Sequence, residues 1–325
     1  MWVLDERRGI FQGSAEPSQL TSGPIRWDWP VPSNDGRKIF ARGATLSGEL
    51  VRFDTKSGQL QPYLGGISAE DVCFSPDGRS IAYVTFPEGI LWKANRDGSN
   101  PTQLTDPPLY PNRPRWSPDG SQILFFAASR WAEARSYLVS AQGGAPRLLL
   151  PDDKESNGNP DWSPDGRKIV FDSEEKTVGL PKHHIRILDL ASRQITTLPE
   201  EVWNPLWSPN GQFIAAMSGE SSSLMVYEFE TKRWSVLQKG GTDRPAWSRD
   251  SQFIYFLAND PNPGVFRIRL SGAKAERVAD LTGVQLTGVW WDGFGLDPTD
   301  APLLLRNIGS DDIYALTLGQ KESRW

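Results

Sequence analysis

The chain has 325 residues and a formal net charge of −5. This acidic balance argues against a dominant basic surface for nucleic acid. No apolar run approaches the roughly 18 residues of a transmembrane helix, and the first residues do not form a secretory signal. We therefore expect a protein without a membrane span, in the cytoplasm or the periplasm.

Cysteine and histidine, the residues that form disulfides and typical zinc sites, are scarce in this chain. Cys73 is the single cysteine, which excludes an intrachain disulfide. The two histidines, His183 and His184, are adjacent, whereas a zinc site needs ligands that converge from spaced positions. The composition thus favours neither a disulfide scaffold nor a zinc protein.

One short motif recurs along the whole chain. An aromatic residue is followed by Ser-Pro-Asp-Gly and then by a short apolar run, as at 74–78, 116–120 and 162–166. The final glycine or its equivalent falls at positions 36, 78, 120, 166, 211, 251 and about 301. A period of about 40–50 residues with strand-like segments is typical of β-propeller blades.

The motif has a clear conformational logic. Proline presets φ in a tight turn, aspartate bonds locally and glycine takes a positive φ, so the turn joins two antiparallel strands. The preceding aromatic residue can pack between neighbouring blades. Further strand-like segments follow each turn, such as 89–93 and 102–105. Each repeat therefore predicts four strands.

We predict an all-β, seven-bladed β-propeller of four-stranded antiparallel blades. It forms a single domain over residues 1–325, with 1–13 as an irregular extension. Residues 312–318 supply a third strand to the last repeat, and 17–21 resemble the outer strand at 102–105. We expect N- and C-terminal strands to close one blade, which removes an open sheet edge. A six-bladed ring with an extra hairpin is the alternative.

These repeats resemble the TolB-type, WD-like propeller family, which also provides the propellers of prolyl-oligopeptidase-type peptidases. The resemblance covers about residues 14–318, and its motifs are specific for the fold rather than for an activity. Segments 20–24 and 312–316 resemble the C-terminal propellers of bacterial signalling proteins, which follow winged-helix or protein-kinase domains. The resemblance implies the sensing or interaction part of such a system.

No catalytic motif accompanies the repeats. The nucleophile elbow Gly-x-Ser-x-Gly is absent, and so are the glycine-rich phosphate loops. We expect the histidine pair in a loop of the fourth blade, with a polar role favoured over a metal or acid–base role. The turn carboxylates lie one per blade and are expected to cap turns rather than bind calcium. Cys73 is expected to be a small buried residue. We predict no catalytic residue, no metal and no cofactor.

The best candidate site is a ring of polar residues at the mouth of the central channel. These residues stand three positions before the anchor aromatic or its equivalent: Asp28, Asp71, Arg113, Asn159, Asn204 and Arg244. Such a ring predicts a site for a small ligand or a peptide tail. The alternative is a narrow channel lined by hydrated polar groups.

A second candidate is the insertion at 129–135. Trp131, Arg130 and Arg135 are residue types that often anchor protein interfaces, so this loop could grip a partner. A solvated loop folded onto its own blade is the alternative. The combined hypothesis is a monomeric, non-catalytic module that binds a protein, a peptide or a small ligand, without direct binding to nucleic acid. A polysaccharide lyase or glycosidase, and a structural accessory domain, are the competing hypotheses.

Overall fold

The computed structural model describes residues 1–3, 17–127, 134–175, 182–219, 222–258, 261–272, 274–287 and 293–318. These residues form β-strands and turns, with a short 3-10 helix at Leu64–Gly66. In the described ranges no helix has the length and apolar character needed to cross a membrane. The chain divides into two compact units, residues 48–306 and a smaller one made of 1–47 with 307–325.

The larger unit contains six antiparallel sheets of four strands, here called sheets 2–7 after the repeat that begins each one. Sheet 2 consists of Ala69–Phe74, Ser80–Thr85, Leu91–Asn95 and Thr102–Gln103. Sheet 3 consists of Pro111–Trp116, Gln122–Ala127, Arg135–Ser140 and Arg147–Leu148. Sheet 4 consists of Gly158–Trp162, Lys168–Glu175, Lys182–Asp189 and Ile195–Thr197.

The remaining three sheets of this unit repeat the same plan. Sheet 5 consists of Val202–Trp207, Phe213–Ser218, Ser223–Glu228 and Arg233–Gln238. Sheet 6 consists of Asp243–Trp247, Phe253–Ala258, Gly264–Arg269 and Glu276–Asp280. Sheet 7 consists, in spatial order, of Phe294–Leu296, Pro302–Asn307, Gly48–Asp54 and Gln59–Pro62. The first strand of each sheet lies against that of the next, and the first strand of sheet 7 also contacts that of sheet 2, so the cycle closes.

Sheet 7 confirms that strands from both ends of the repeat array close one blade, but the strands are not those we expected. Gly48–Asp54 and Gln59–Pro62 complete the sheet. Ser18–Gln19 pairs instead with Trp2–Val3, and both of its residues are exposed. Gly48–Asp54 has a largely buried pattern, so the burial of apolar side chains favours it as the third strand.

The smaller unit contains sheet 1, whose three strands are Arg26–Pro32, Lys38–Thr45 and Ser310–Thr317. The third of these strands pairs with Lys38–Thr45 rather than within the last repeat, which corrects the expectation for 312–318. Every repeat motif therefore begins an antiparallel sheet. The all-β propeller architecture is confirmed: of the seven sheets that begin at a repeat, six have four strands and sheet 1 has three, while Trp2–Val3 and Ser18–Gln19 form a separate two-stranded sheet.

Apolar residues from neighbouring sheets form the core of the larger unit. Between sheets 2 and 3, for example, Val84 and Leu91 pack with Phe125 and Val139, and all four are buried. Burial of such side chains is worth about 1.5–3 kcal/mol each, which makes the sheet-to-sheet contacts the main source of stability.

The repeated turns have the predicted geometry. Ser75 Oγ donates to Asp77 Oδ1 at 2.6 Å, and the same aspartate oxygen accepts the backbone N–H of Arg79 at 3.0 Å. The turn glycines have positive φ values, 68° at Gly78 for example. Ser251 takes the glycine position of the sixth repeat and keeps a φ of 59°. The carboxylates thus cap the turns, as expected.

Candidate functional site

The predicted channel residues share one backbone feature. In sheets 2–6 they lie in a β-bulge on the first strand with φ between 45° and 56°, and they are Asp71, Arg113, Asn159, Asn204 and Arg244. The strand register shifts at each of these points. Positive φ is uncommon for such residues, and a bulge redirects the side chain away from the regular alternation of the strand.

The structure brings four of these residues into one polar network. Arg113 donates from Nη1 to Asn204 Oδ1, and its backbone N–H donates to Asp71 Oδ2 at 2.9 Å. Asn159 Nδ2 donates to Asp172 Oδ2 at 2.8 Å, and that oxygen also accepts the backbone N–H of Asn204 at 2.7 Å. Asp172 was not predicted, since it belongs to the second strand of sheet 4 and lies outside the repeat motif.

Arg113 is held in an unfavourable electrostatic setting. Burial and the nearby Arg244 guanidinium lower the pKa of Arg113 to about 9, while Asp71 acts in the opposite direction. Arg244 is itself 7% exposed. Two guanidinium groups therefore share a poorly hydrated region, where the Coulomb interaction is stronger than in water.

In the first repeat, the residue equivalent to Asp71 is Trp29, not Asp28. Pro32 replaces the anchor aromatic there, and Trp29 stands three positions before it with a φ of 51°. Trp29 is 76% exposed. Asp28 instead forms an ion pair with Arg26, in which Asp28 Oδ2 lies 3.1 Å from Arg26 Nε. The ring prediction was thus displaced by one residue in the repeat whose anchor is not aromatic.

The larger unit contains a cavity of about 540 Å³, here called the axial cavity. In sheets 2–7, the residue immediately before the anchor position lines it: Cys73, Arg115, Asp161, Leu206, Ala246 and Gly295. Among the predicted ring residues, Asp71 also lines it. Sequence reasoning missed these six because their chemistry differs from repeat to repeat, although their position does not.

Two of these cavity residues carry opposite charges and lie close together. Arg115 Nε is 3.7 Å from Asp161 Oδ1, and Asp161 Oδ2 accepts the backbone N–H of Trp207 at 2.8 Å. Burial raises the pKa of Asp161 against the opposing effect of Arg115. Burial also raises the pKa of the Cys73 thiol to about 12, so it stays protonated near neutral pH and is a poor nucleophile.

The other predicted residues are divided between described and undescribed parts of the chain. Trp131 and Arg130 lie outside the described residues, so their role as a partner loop stays a prediction. Arg135 donates to the backbone oxygens of Leu150 at 2.5 Å and Asp153 at 2.9 Å. These bonds hold the Arg135 side chain against its own sheet and the chain that follows it.

The histidine pair lies in the strand Lys182–Asp189, not in a loop. Adjacent strand residues point to opposite faces. His183 packs on Trp203 with ring centroids 5.9 Å apart, and His184 Nε2 is 3.3 Å from Glu175 Oε2. Over the ranges that the structure describes, no three His, Cys, Asp or Glu side chains are arranged to hold a metal ion.

Solved structures with related folds include proteins of different kinds. A protein assigned as TolB from Agrobacterium tumefaciens superposes with a TM-score of 0.65 at 18% identity, covering 81% of this chain and 99% of that one. An oligogalacturonate lyase from Vibrio parahaemolyticus gives a TM-score of 0.55 at 13% identity, covering 95% and 96%. At these identities the similarity concerns the fold alone.

Sequence comparison adds a shorter match and a family. Over 76 residues the chain is 37% identical to a Bacillus subtilis (strain 168) protein described as the uncharacterized peptidase YuxL. The match covers 22% of this chain and 12% of that protein's length. The TolB beta propeller domain family matches residues 71–293. The chain therefore belongs to the TolB β-propeller domain family.

Proposed function

We propose that the chain is a non-catalytic binding module, whose axial cavity receives a small ligand or an extended peptide segment of a partner protein. The observation that carries this proposal is the convergence of six equivalent positions, one from each of sheets 2–7, on a single cavity of about 540 Å³. A volume in the range of about 300–1,000 Å³ is typical of ligand sites. Rigid sheets hold these residues in fixed positions, which suits recognition.

The chemistry of the lining supports a ligand with both polar and apolar parts. Arg115 and Asp161 present charges of opposite sign, while Trp207, Trp247 and Phe294 contribute aromatic surface. A peptide segment offers amide groups and side chains that match such a mixture. The cavity thus supplies recognition groups of several kinds rather than one dominant charge.

The choice of a non-catalytic role rests on how the reactive groups in this cavity are used. The Cys73 thiol has a raised pKa, which disfavours the thiolate. The Asp161 carboxyl already accepts the backbone N–H of Trp207 and lies beside Arg115. We infer that the module is the sensing or interaction part of a bacterial signalling or transcription-regulatory system. This inference is supported by the resemblance of segments 20–24 and 312–316 to such propellers.

The test is a binding and turnover screen on the purified chain. A library of unstructured peptides and neutral and acidic oligosaccharides is screened by thermal shift, and hits are measured by calorimetry. We expect Arg115→Ala to weaken binding at least tenfold. Arg79→Ala, at an exposed turn position, serves as the matched control and should leave binding unchanged.

The same samples distinguish the competing functions. Each hit is incubated with the protein, with and without divalent cations, and analysed by mass spectrometry. Cleavage of oligogalacturonate or of a peptide, abolished by Arg115→Ala, would replace the binding role with an enzymatic one. If no compound binds, the proposal fails and a structural accessory role takes its place.

A further inference from the structure

A separate, smaller cavity of about 250 Å³ lies beside sheet 4 in the larger unit. Ser173, Glu175 and His184 contribute polar atoms to its wall, and Ile195 and Thr197 contribute apolar surface. The strand register places Ser173 directly opposite His184. Glu175 follows Ser173 by two residues, so it projects from the same face of the sheet. Among the described residues, none lines both this cavity and the axial cavity.

The buried hydroxyl of Ser173 indicates that the cavity binds a polar group. Ser173 is 1% exposed, and among the described residues its Oγ atom has no hydrogen-bond partner. A buried hydroxyl without a partner costs free energy, and native proteins contain few of them. Because Ser173 lines the cavity, a bound group with a polar hydrogen can satisfy this oxygen.

The charged groups of the wall define which kind of group fits. Arg186 Nη1 is already bonded to Asp153 Oδ2 at 2.9 Å and to Glu155 Oε2 at 3.0 Å, so one cation is shared by two carboxylates. Glu175 adds a third carboxylate, with the His184 ring 3.3 Å from it and Lys182 opposite it in the register, so that three carboxylates stand against the two cations Arg186 and Lys182. The cluster therefore has an excess of negative charge and of hydrogen-bond acceptors.

The tautomer of His184 adds another acceptor. A carboxylate can only accept a hydrogen bond, so the Nε2 atom that faces Glu175 carries the proton. In the neutral ring, Nδ1 then presents a lone pair. Lys182 stands opposite Glu175 in the register but is exposed, so its side chain does not fill the cavity.

We propose that this cavity is a binding site for a primary ammonium group carried on a short alkyl chain, such as a lysine side chain or a free aliphatic amine. Such a group has one positive charge and three N–H donors. Glu175, Ser173 and the His184 ring supply the matching charge and acceptors, while Ile195 and Thr197 contact the alkyl chain. This site is separate from the axial cavity and extends the function proposed for it.

The two adjacent histidines give the experiment an internal control. The probe is n-butylammonium, titrated into protein labelled at histidine and followed by NMR, with n-butanol as the uncharged match. We expect a saturable shift of the His184 ring signals. The His183 signals should move little, since that ring packs on Trp203 at the opposite face. Equal shifts of both histidines, or the same response to n-butanol, would overturn the proposal.

Two neighbouring glutamates provide the matched variants. Glu175→Gln should weaken n-butylammonium binding at least tenfold, because it removes the negative charge at the cavity. Glu174→Gln, which pairs with His183 in the register, should leave binding unchanged. Ser173→Ala should weaken binding severalfold. Equal losses in the two glutamate variants, or no saturable binding to the unchanged protein, would refute the site.

Two further ligands identify the source of the ammonium group. A capped Ala-Lys-Ala tripeptide and cadaverine are compared with n-butylammonium. Tighter binding of the tripeptide supports a lysine of a partner chain, and tighter binding of cadaverine supports a free amine. If neither competes with n-butylammonium, the site does not accept a biological ammonium group and the proposal is wrong.

Discussion

Arg113 in sheet 3 donates a hydrogen bond to Asn204 in sheet 5, so a guanidinium reaches past the sheet that lies between them. Asn204 is in turn held through its backbone N–H by Asp172 of sheet 4. Three successive sheets are therefore joined by side-chain contacts near the centre of the larger unit. Because the Arg113 guanidinium is partly buried and Asn204 is 6% exposed, this hydrogen bond should contribute more to stability than one between exposed side chains.

Replacing Asn204 should measure this contribution. Asn204→Ala removes the acceptor of the partly buried Arg113 guanidinium and also places alanine at a φ of 56°. We expect the free energy of unfolding to fall by about 2–4 kcal/mol, since hydrogen bonds to charged groups contribute roughly 1.5–3 kcal/mol and left-handed backbone adds a further cost. Urea denaturation followed by tryptophan fluorescence gives the value.

Two variants separate the causes. Asn204→Gly relieves the backbone cost but still lacks the acceptor, so it should recover only part of the loss. Asn95→Ala removes an exposed amide bonded to Ser99 and should cost under about 0.5 kcal/mol. If Asn204→Gly is as stable as the unchanged protein, the hydrogen bond to Arg113 contributes nothing to stability.

Two buried serines should respond differently to alanine. Ser136 Oγ donates to the backbone oxygen of Asn157 at 2.7 Å, whereas Ser173 Oγ has no partner among the described residues. Ser136→Ala should therefore lower the free energy of unfolding by about 1–3 kcal/mol, and Ser173→Ala should leave it unchanged or raise it. Similar losses for both, measured by urea denaturation, would show that Ser173 has a partner in solution.

Local turn chemistry explains why the sheets could be predicted from the sequence. Ser-Pro-Asp-Gly specifies a turn through short-range bonds, such as the one between Ser75 and Asp77, and these need no information from distant residues. The choice of closing strand depends on long-range burial, which is why Gly48–Asp54 was missed and Ser18–Gln19 was wrongly favoured.

The bulge residues of the candidate site could be predicted from the sequence, whereas the lining of the axial cavity could not. Counting back from the anchor located Asp71 and Arg113, because the bulge recurs at a fixed distance from the turn. In sheets 2–6 the axial cavity is lined by the residue two positions after the bulge, and the direction in which that side chain points is a property of the folded strand. Arg115 and Asp161 have opposite charges at equivalent positions, so no shared residue type marked them.

A natural variation within the repeats predicts the effect of changing a turn aspartate. Asp165 accepts the Ser163 hydroxyl, as Asn210 accepts the Ser208 hydroxyl in the next repeat. This bond lowers the pKa of Asp165, so its contribution is present above the ordinary value of 3.8 and is lost as the pH falls. Asp165→Asn should fold normally and lose less stability than the unchanged protein between about pH 5 and pH 3.

The measurement for this turn variant is the urea midpoint across that pH range. Asp152→Ala, at an exposed position, is the control and should follow the unchanged protein. An identical acid dependence in Asp165→Asn and in the unchanged protein would contradict a lowered pKa at this turn.

Asp161 should show the opposite dependence on pH. Burial raises its pKa above 3.8, so the stabilisation associated with its protonated form is complete below the unfolded value and is lost as the pH rises through the folded value. Asp161→Asn keeps an oxygen that can accept the backbone N–H of Trp207 but carries no charge. Relative to the unchanged protein, this variant should therefore become more stable as the pH is raised from about 4 to 7.

This prediction is tested by measuring urea midpoints of the unchanged protein, Asp161→Asn and Asp165→Asn at both pH values. The difference between each variant and the unchanged protein should change in opposite directions for Asp161 and Asp165, because one pKa is raised and the other is lowered. If both differences change in the same direction, Arg115 outweighs burial and Asp161 is a stabilising ion-pair partner in the axial cavity. The charge of Arg115 would then be neutralised by the ionised Asp161 and would be less available to a ligand.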